Sequence, residues 1–232
     1  MEPRVKAWQA TCRRIEAATR AAGRPAGAVR LLAVSKTFPA DAIRAVHALG
    51  QRAFGENYVQ EAAAKRAALA DRPDIVWHLI GPLQANKARV AAELFDWIET
   101  IDRPRIAERL AAACAGRTQP LDVLVQVNVS GETTKSGVAP DESLALARYV
   151  ATLPNLRLRG IMGIPAPSAD ADAARSQFRA LRQCFDALRN AGLPIDTLSM
   201  GMSADLELAI AEGSTEVRAG TAIFGERRKE GG

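Results

Sequence analysis

The sequence predicts an α/β protein, a single-domain (β/α)8 barrel of the TIM type. Three observations carry that reading. Short apolar runs alternate with helical patterns along the whole chain, there are eight such runs, and 232 residues leave about 29 for each unit. Alternation of this kind means βαβ units and a parallel sheet. A doubly wound open sheet is the alternative, but it usually has fewer strands at this length. No stretch remains for a second domain. Residues 1–226 read as the barrel with an N-terminal helix, and 227–232 as a polar, mobile tail.

The first helix, near Arg4 to Ala22, places Val5, Trp8, Cys12, Ile15 and Thr19 three and four apart, so one face is buried. The eight strand runs follow. They are Arg30 to Lys36, Arg52 to Gly55, Ile75 to Ile80, Trp97 to Ile101, Asp122 to Asn128, Leu156 to Met162, Thr197 to Met200 and Thr215 to Ala219. Between them lie alanine-rich helical segments, near Pro39–Leu49, Tyr58–Ala70, Gln84–Leu94, Arg103–Ala115, Asp141–Leu153, Ala171–Ala191 and Ala204–Glu212.

Composition narrows the function. Hydrophobic residues make up 48% and charged residues 25%, enough for a core without staples. No run approaches the ~18–20 apolar residues of a membrane span, and the start of the chain lacks the apolar core of a signal peptide. A cytoplasmic protein with no membrane partner is expected. Cys12, Cys114 and Cys184 are odd in number and far apart, so they suggest neither a disulfide framework nor a metal site. His47 and His78 are the only histidines, which argues against a His-rich metal centre and a Ser-His-Asp triad. The net charge of +5 comes mostly from arginines spread along helices among acids, so no nucleic-acid partner is expected.

In such barrels the chemistry lies at the C-terminal ends of the strands. Lys36 stands out there. It closes the run Leu-Leu-Ala-Val, whereas Lys6, Lys65, Lys87, Lys135 and Lys229 lie in polar segments. Dehydration at a barrel mouth lowers an amine's pKa and frees it to attack a carbonyl. The plainer alternative is a lysine reaching past the strand end into solvent. After the seventh run, Ser199-Met-Gly-Met-Ser-Ala204 precedes a helix expected from Ala204, with Ser203 as its N-cap and Gly201 allowing close backbone approach. After the eighth, Gly220-Thr-Ala-Ile-Phe-Gly225 offers another glycine amide and a hydroxyl, on Thr221. Either loop alone reads equally as an ordinary turn and cap. Together, after strands seven and eight, they occupy the usual phosphate position of these barrels. Arg218 lies just ahead of the second loop. If it points inward it is a buried cation needing a ring nitrogen or phosphate; outward, it must be satisfied beneath a helix. A carbonyl-seeking lysine, a phosphate cradle and an arginine for a ring nitrogen together describe a pyridoxal 5′-phosphate site.

The chain resembles the pyridoxal phosphate homeostasis proteins (YggS-like) over nearly its whole length. The matching stretches include Leu31-Leu-Ala-Val-Ser-Lys-Thr37, Phe54-Gly-Glu-Asn-Tyr-Val-Gln-Glu61 and Trp77-His-Leu-Ile-Gly-Pro-Leu-Gln-Ala-Asn-Lys87. They continue with Lys135-Ser-Gly137, Leu158-Arg-Gly-Ile-Met162, Leu198-Ser-Met-Gly-Met-Ser203 and Val217-Arg-Ala-Gly-Thr-Ala-Ile-Phe-Gly225. The resemblance implies a monomeric barrel like the alanine racemase N-terminal domain, with the cofactor as a Schiff base on Lys36. It implies phosphate contacts from Gly201, Ser203, Gly220 and Thr221, Arg218 near the pyridine nitrogen, and Asn57 and His78 lining the pocket. It also implies a role in keeping free pyridoxal phosphate low and available, with no established reaction.

A carrier is favoured over an enzyme on physical grounds. Racemases of similar fold use a tyrosine from a second domain as their second base. Tyr58 and Tyr149 have no obvious claim to that role. An arginine at the ring nitrogen also weakens the cofactor as an electron sink. The expected partners are pyridoxal phosphate itself and, in passing, apo-enzymes that use it. Lys135 and Lys87 are expected to flank the mouth and attract the phosphate or receive the aldehyde. The alternatives are a pyridoxal phosphate-dependent amino-acid racemase or lyase, or a barrel for another phosphorylated metabolite.

Overall fold

The computed structural model describes residues 3–132, 135–168 and 170–226; the tail expected at 227–232 lies outside them. Eight parallel strands pair in chain order, and β8 returns to β1, so the barrel is closed. The strands are β1 Arg30–Val34, β2 Ala53–Glu56, β3 Val76–Leu79, β4 Trp97–Ile101, β5 Leu121–Val127, β6 Leu156–Gly163, β7 Thr197–Met202 and β8 Glu216–Ala219. All eight expected strands are present, β4 with the expected limits and the others displaced by one or two residues at an end.

The helices are α1 Pro3–Ala21, α2 Ala40–His47, α3 Val59–Ala68, α4 Ala88–Leu94, α5 Pro104–Ala113, α6 Ser143–Thr152, α7 Ala171–Asn190, α8 Leu206–Ala211 and α9 Thr221–Phe224. Two expected helices open with a tight 3₁₀ turn, at Ala85–Lys87 and Pro140–Glu142. The helix expected from Ala204 begins at Leu206 instead, because Ser203 and Asp205 are engaged in the loop before it. No helix among the described residues is long and apolar enough to cross a membrane.

Strand alternation sorts the side chains into two cores. Outward residues such as Phe54, Trp77, Val123 and Leu198 pack under the helices with Ile43, Leu110, Phe178 and Leu188. Inward residues Trp97, Leu124 and Met162 form a separate cluster inside the barrel. The buried stripe of α1 is Thr11, Ile15 and Thr19, with Trp8 and Cys12 only half-buried. Its Ile15 packs on Val29, Leu206, Ile210 and Val217.

The floor of the barrel is charged. Arg30 and Arg159 stack over the Trp97 ring, at 5.2 and 4.8 Å from its centroid. Asp122 pairs with Arg157 and with Arg159, the latter at 3.2 Å. A register shift between β5 and β6 lets Arg157 and Arg159 face this floor while Met162 also faces inward. Gly160 sits at that bulge with φ +148°, and a Cβ there would overlap the Thr197 carbonyl of β7. Gly160→Ala is expected to lower unfolding free energy by about 3 kcal/mol, read as the shift of the urea midpoint.

Candidate binding site at the C-terminal mouth of the barrel

Lys36 follows β1 at the mouth and is half-buried. Its neighbours on both sides are clamped from outside the barrel. Ser35 Oγ donates to Glu56 Oε1 at 2.6 Å, and the Ser35 carbonyl accepts from Lys65 Nζ at 2.8 Å. The Thr37 amide donates to Glu61, with Thr37 in the left-handed region at φ +69°. Lys65 joins the set, lying 2.7 Å from both Glu56 and Glu61. The sequence assigned Lys65 to a polar helix face; it is in fact buried. Glu56 points outward from β2 under α3, so a carboxylate is enclosed there, and only a cation from that helix can balance it. Burial raises the Glu56 pKa even against Lys65.

The loops after β7 and β8 converge as expected, by a different bond. Ser203 is not a helix N-cap. Its Oγ accepts from the Gly220 and Ala222 amides, each at 3.3 Å, and so ties one loop to the other. Asp205 stands before α8, and its carboxylate accepts from the Met202 amide at 2.6 Å. Gly201 has φ +93°, and a Cβ there would overlap the Ala209 methyl on α8, so helix packing alone demands glycine. At Gly220 a Cβ would come 3.2 Å from the Val34 carbonyl. Thr221 opens α9 with its side chain exposed.

Arg218 points into the barrel and is 4% exposed. It donates to Ser199 Oγ and to the Gly163 carbonyl, both at 2.7 Å. Ser199 Oγ in turn donates to Glu99 Oε2 at 2.8 Å, and Glu99 Oε1 lies 2.7 Å from His78 Nδ1. His78 stacks on Trp97, so one polar column runs from the floor to the mouth. Glu216 completes it, with Oε1 lacking a hydrogen-bond partner among the described residues. Burial, then the Glu99 charge, pushes the Glu216 carboxyl up to about 7. Burial pulls His78 down, but Glu99 and Glu216 outweigh it and leave its pKa raised. Burial also works against the Glu99 carboxylate, which His78 and Arg218 nevertheless hold below the usual range.

Ligand atoms of His78, Glu99 and Glu216 lie within 4.8 Å of one another, a spacing that could hold a metal ion. Their charge is already met by Arg218 and Arg30, the latter 3.5 Å from Glu216, so a divalent cation would enter against two guanidinium groups. His78 therefore sits in this column beneath the mouth. Asn57 lies at the mouth itself, on a cavity of about 240 Å3 that also takes Ile80, Gln126 and Lys135 into its wall. Lys87, half-buried, ends the 3₁₀ turn after β3.

Sequence reasoning missed Glu56, Lys65, Ser199, Glu99 and Glu216. Alternation along β4, β7 and β8 could have turned Glu99, Ser199 and Glu216 inward beside Arg218. Nothing local marked Lys65.

The comparisons give the family and the fold. The family model described as "Alanine racemase, N-terminal domain" matches residues 7–228. A protein of Pseudomonas aeruginosa described as "Pyridoxal phosphate homeostasis protein" is 55% identical over 214 residues, covering 92% of this chain and 91% of that one. The chain belongs to the pyridoxal phosphate homeostasis protein family. Within this family, PipY of Synechococcus elongatus PCC7942 has been solved with pyridoxal phosphate bound. It superposes with a TM-score of 0.80 at 40% identity, covering 92% of this chain and 99% of that one. Alanine racemase of Clostridium difficile 630 shares the fold at 15% identity and TM-score 0.76, and this chain covers 58% of it.

Two tests follow from the buried charges. Lys65→Met leaves Glu56 enclosed without its cation and should cost about 3–5 kcal/mol. Adding Glu56→Gln should recover part of that loss in a denaturant titration. The second concerns pH. Glu216 binds its proton more tightly folded than unfolded, so its contribution to stability is full below pH 4.5 and lost by about pH 7. Glu216→Gln should therefore raise the denaturation midpoint at pH 8 and leave it nearly unchanged at pH 4.

Proposed function

We propose that this chain binds pyridoxal 5′-phosphate reversibly through Lys36, and that it holds and supplies the cofactor without strong catalytic activity of its own. The observation that carries the reading is the convergence of Lys36, the tied β7 and β8 loops and the inward Arg218 on one mouth. When bound, the cofactor supplies an aldehyde that forms a reversible imine (a Schiff base) with an amine such as Lys36 Nζ, which permits storage and release. The cofactor in the PipY structure, at 40% identity, supports its assignment here.

The residues at the mouth fit that group. At Gly220 the β8 loop lies so close to β1 that a side chain would press on the Val34 carbonyl, and the Gly220 and Ala222 amides are turned onto Ser203 Oγ, whose own proton is left to donate to an anion. Ser203 and Thr221 add hydroxyls, Gly220 lets the β8 loop lie against β1, and Gly201, whose missing side chain makes room for Ala209 on α8, lets the β7 loop turn there. Arg218, fixed by Ser199 and Gly163, is a permanent donor at the ring nitrogen and has no proton to give up at neutral pH. Asn57 borders the ring from the β2 side, and His78 bears on it through Glu99, Ser199 and Arg218.

The tyrosines favour a carrier over a racemase or lyase. The Tyr149 hydroxyl donates to Glu108 at 2.7 Å on the outer helical ring, and Tyr58 is 61% exposed. Neither is placed as a second base inside the barrel. We propose a monomer that meets apo-enzymes transiently, with Lys135 and Lys87 drawing the phosphate or receiving the aldehyde at the rim. Slower transfer to an apo-enzyme after Lys135→Ala and Lys87→Ala is the expected outcome, and unchanged rates would exclude that role.

The deciding experiment is an absorbance spectrum with pyridoxal phosphate, then borohydride reduction and peptide mass spectrometry beside Lys36→Ala. A yellow protein whose adduct maps to Lys36, and is lost in the variant, is expected. A colourless protein with no adduct would reassign the two loops to another phosphorylated metabolite. Lys36-dependent exchange of an amino acid's α-hydrogen in deuterated water would favour the racemase or lyase.

A further inference from the structure

The turn that carries Lys36 is strained. The Phe38 amide donates to the Ser35 carbonyl at 3.1 Å, which closes a four-residue turn with Lys36 and Thr37 at its centre. Thr37 has φ +69°, whereas Lys36 has a negative φ. A positive φ at the third position alone is the type II pattern, and glycine is its usual occupant there. Among the described residues only Thr37 and Asn155 are non-glycine residues with a positive φ. Asparagine tolerates that region, but β-branched threonine crowds its own backbone there. Such an outlier persists only where its surroundings impose it.

Here α3 imposes it. The Thr37 amide donates to Glu61 Oε1, the same oxygen that takes Lys65 Nζ at 2.7 Å. A type I turn would suit threonine better, and it differs chiefly by a half-rotation of the peptide joining Lys36 to Thr37. That rotation would turn the amide away from Glu61 and bring the Lys36 carbonyl towards the carboxylate instead. One acceptor on the first turn of α3 therefore selects the turn type. Lys65 steadies the acceptor, and Glu56 and the Ser35 carbonyl hold Lys65 in place from its other sides.

Lys36 needs a fixed turn because the ligand's other end is held elsewhere. The aldehyde and phosphate of the cofactor sit on neighbouring ring positions, so the lysine and the β8 loop must keep a set separation. Phe38, the last residue of the turn, stacks on Phe224 of α9 with ring centroids 5.2 Å apart, and α9 opens with Thr221 of that loop. A relaxed turn would shift Lys36 against both. We propose that Glu61 is a positioning residue for capture of the cofactor: by accepting the Thr37 amide it holds the strained turn that sets Lys36 against the phosphate loop. Capture joins the Lys36 nitrogen to the aldehyde carbon and expels one water, with no change of oxidation state. The inference rests on the carrier reading and deepens it by naming a residue of α3 on which the lysine depends.

The test titrates the full chain with pyridoxal phosphate and follows the yellow absorbance. Glu61→Ala should weaken capture about tenfold, the worth of one charge-assisted hydrogen bond. Glu61→Gln keeps an acceptor oxygen and should retain most of the affinity. Adding Thr37→Gly to Glu61→Ala supplies the residue that a type II turn favours unaided, and should recover most of the loss. In the cofactor-free chain the Thr37 amide should exchange with deuterium about tenfold faster in Glu61→Ala. Glu61→Met, which keeps bulk but no oxygen, serves if Glu61→Ala does not fold. A role confined to neutralising Lys65 predicts a different pattern, with Glu61→Gln as harmful as Glu61→Ala and no recovery from Thr37→Gly. That pattern, parental affinity in Glu61→Ala, or unchanged exchange at Thr37 would each overturn the proposal. A parent with no adduct on Lys36 overturns the carrier reading and this inference together. A yellow parent with an unaffected Glu61→Ala overturns this inference alone.

Discussion

The interior of a closed barrel must balance its own charge. Eight strands pair around a full circle, and inward side chains have only one another to answer them. This chain places Arg30, Arg157 and Arg159 at the floor, Glu99 and Glu216 with His78 above, and Arg218 near the top. Asp122 holds two of the floor arginines, and Ser199 passes the charge of Glu99 to Arg218 through one hydroxyl. Arg218 reaches the mouth because the carboxylates below it keep a buried guanidinium tolerable.

A second enclosed charge works from the opposite side of the wall. Glu56 lies outside β2 and is buried by α3, and Lys65 joins it to Ser35 and Glu61. Those bonds hold the backbone before and after Lys36. The Lys36 side chain thus projects from a segment whose own freedom has been removed, while the β7 and β8 loops are locked together through Ser203. A site fixed by surrounding structure presents its groups without reordering them at each binding event.

Much of this was legible in the sequence. Alternating runs give β4 its observed limits, Trp97–Ile101, and the other strands theirs within two residues. The position of Lys36 after an apolar run and the glycines after the last two strands marked the mouth, because strand ends are where such barrels expose backbone and side chains together. Less legible was anything that depends on two distant segments. Ser203 looked like a helix cap because its helix seemed to begin at Ala204, yet its hydroxyl is taken by amides of the next loop. Lys65 looked like a solvated helix residue because neither neighbour in sequence betrays the carboxylate beneath it.

The sequence by itself determined the strand count and the parallel barrel, and it proposed the short list Lys36, Gly201, Ser203, Arg218, Gly220 and Thr221, since periodicity and turn chemistry are local properties. Only the tertiary structure decided which charges meet. Glu99 with His78, Ser199 with Arg218, and Glu56 with Lys65 are separated by 9 to 21 residues, and Ser199 with Glu99 by 100. The pairings inside the barrel follow from strand register and closure, which place inward residues of β3, β4, β7 and β8 around one axis, and that of Glu56 with Lys65 from the packing of α3 on β2; no local pattern encodes either.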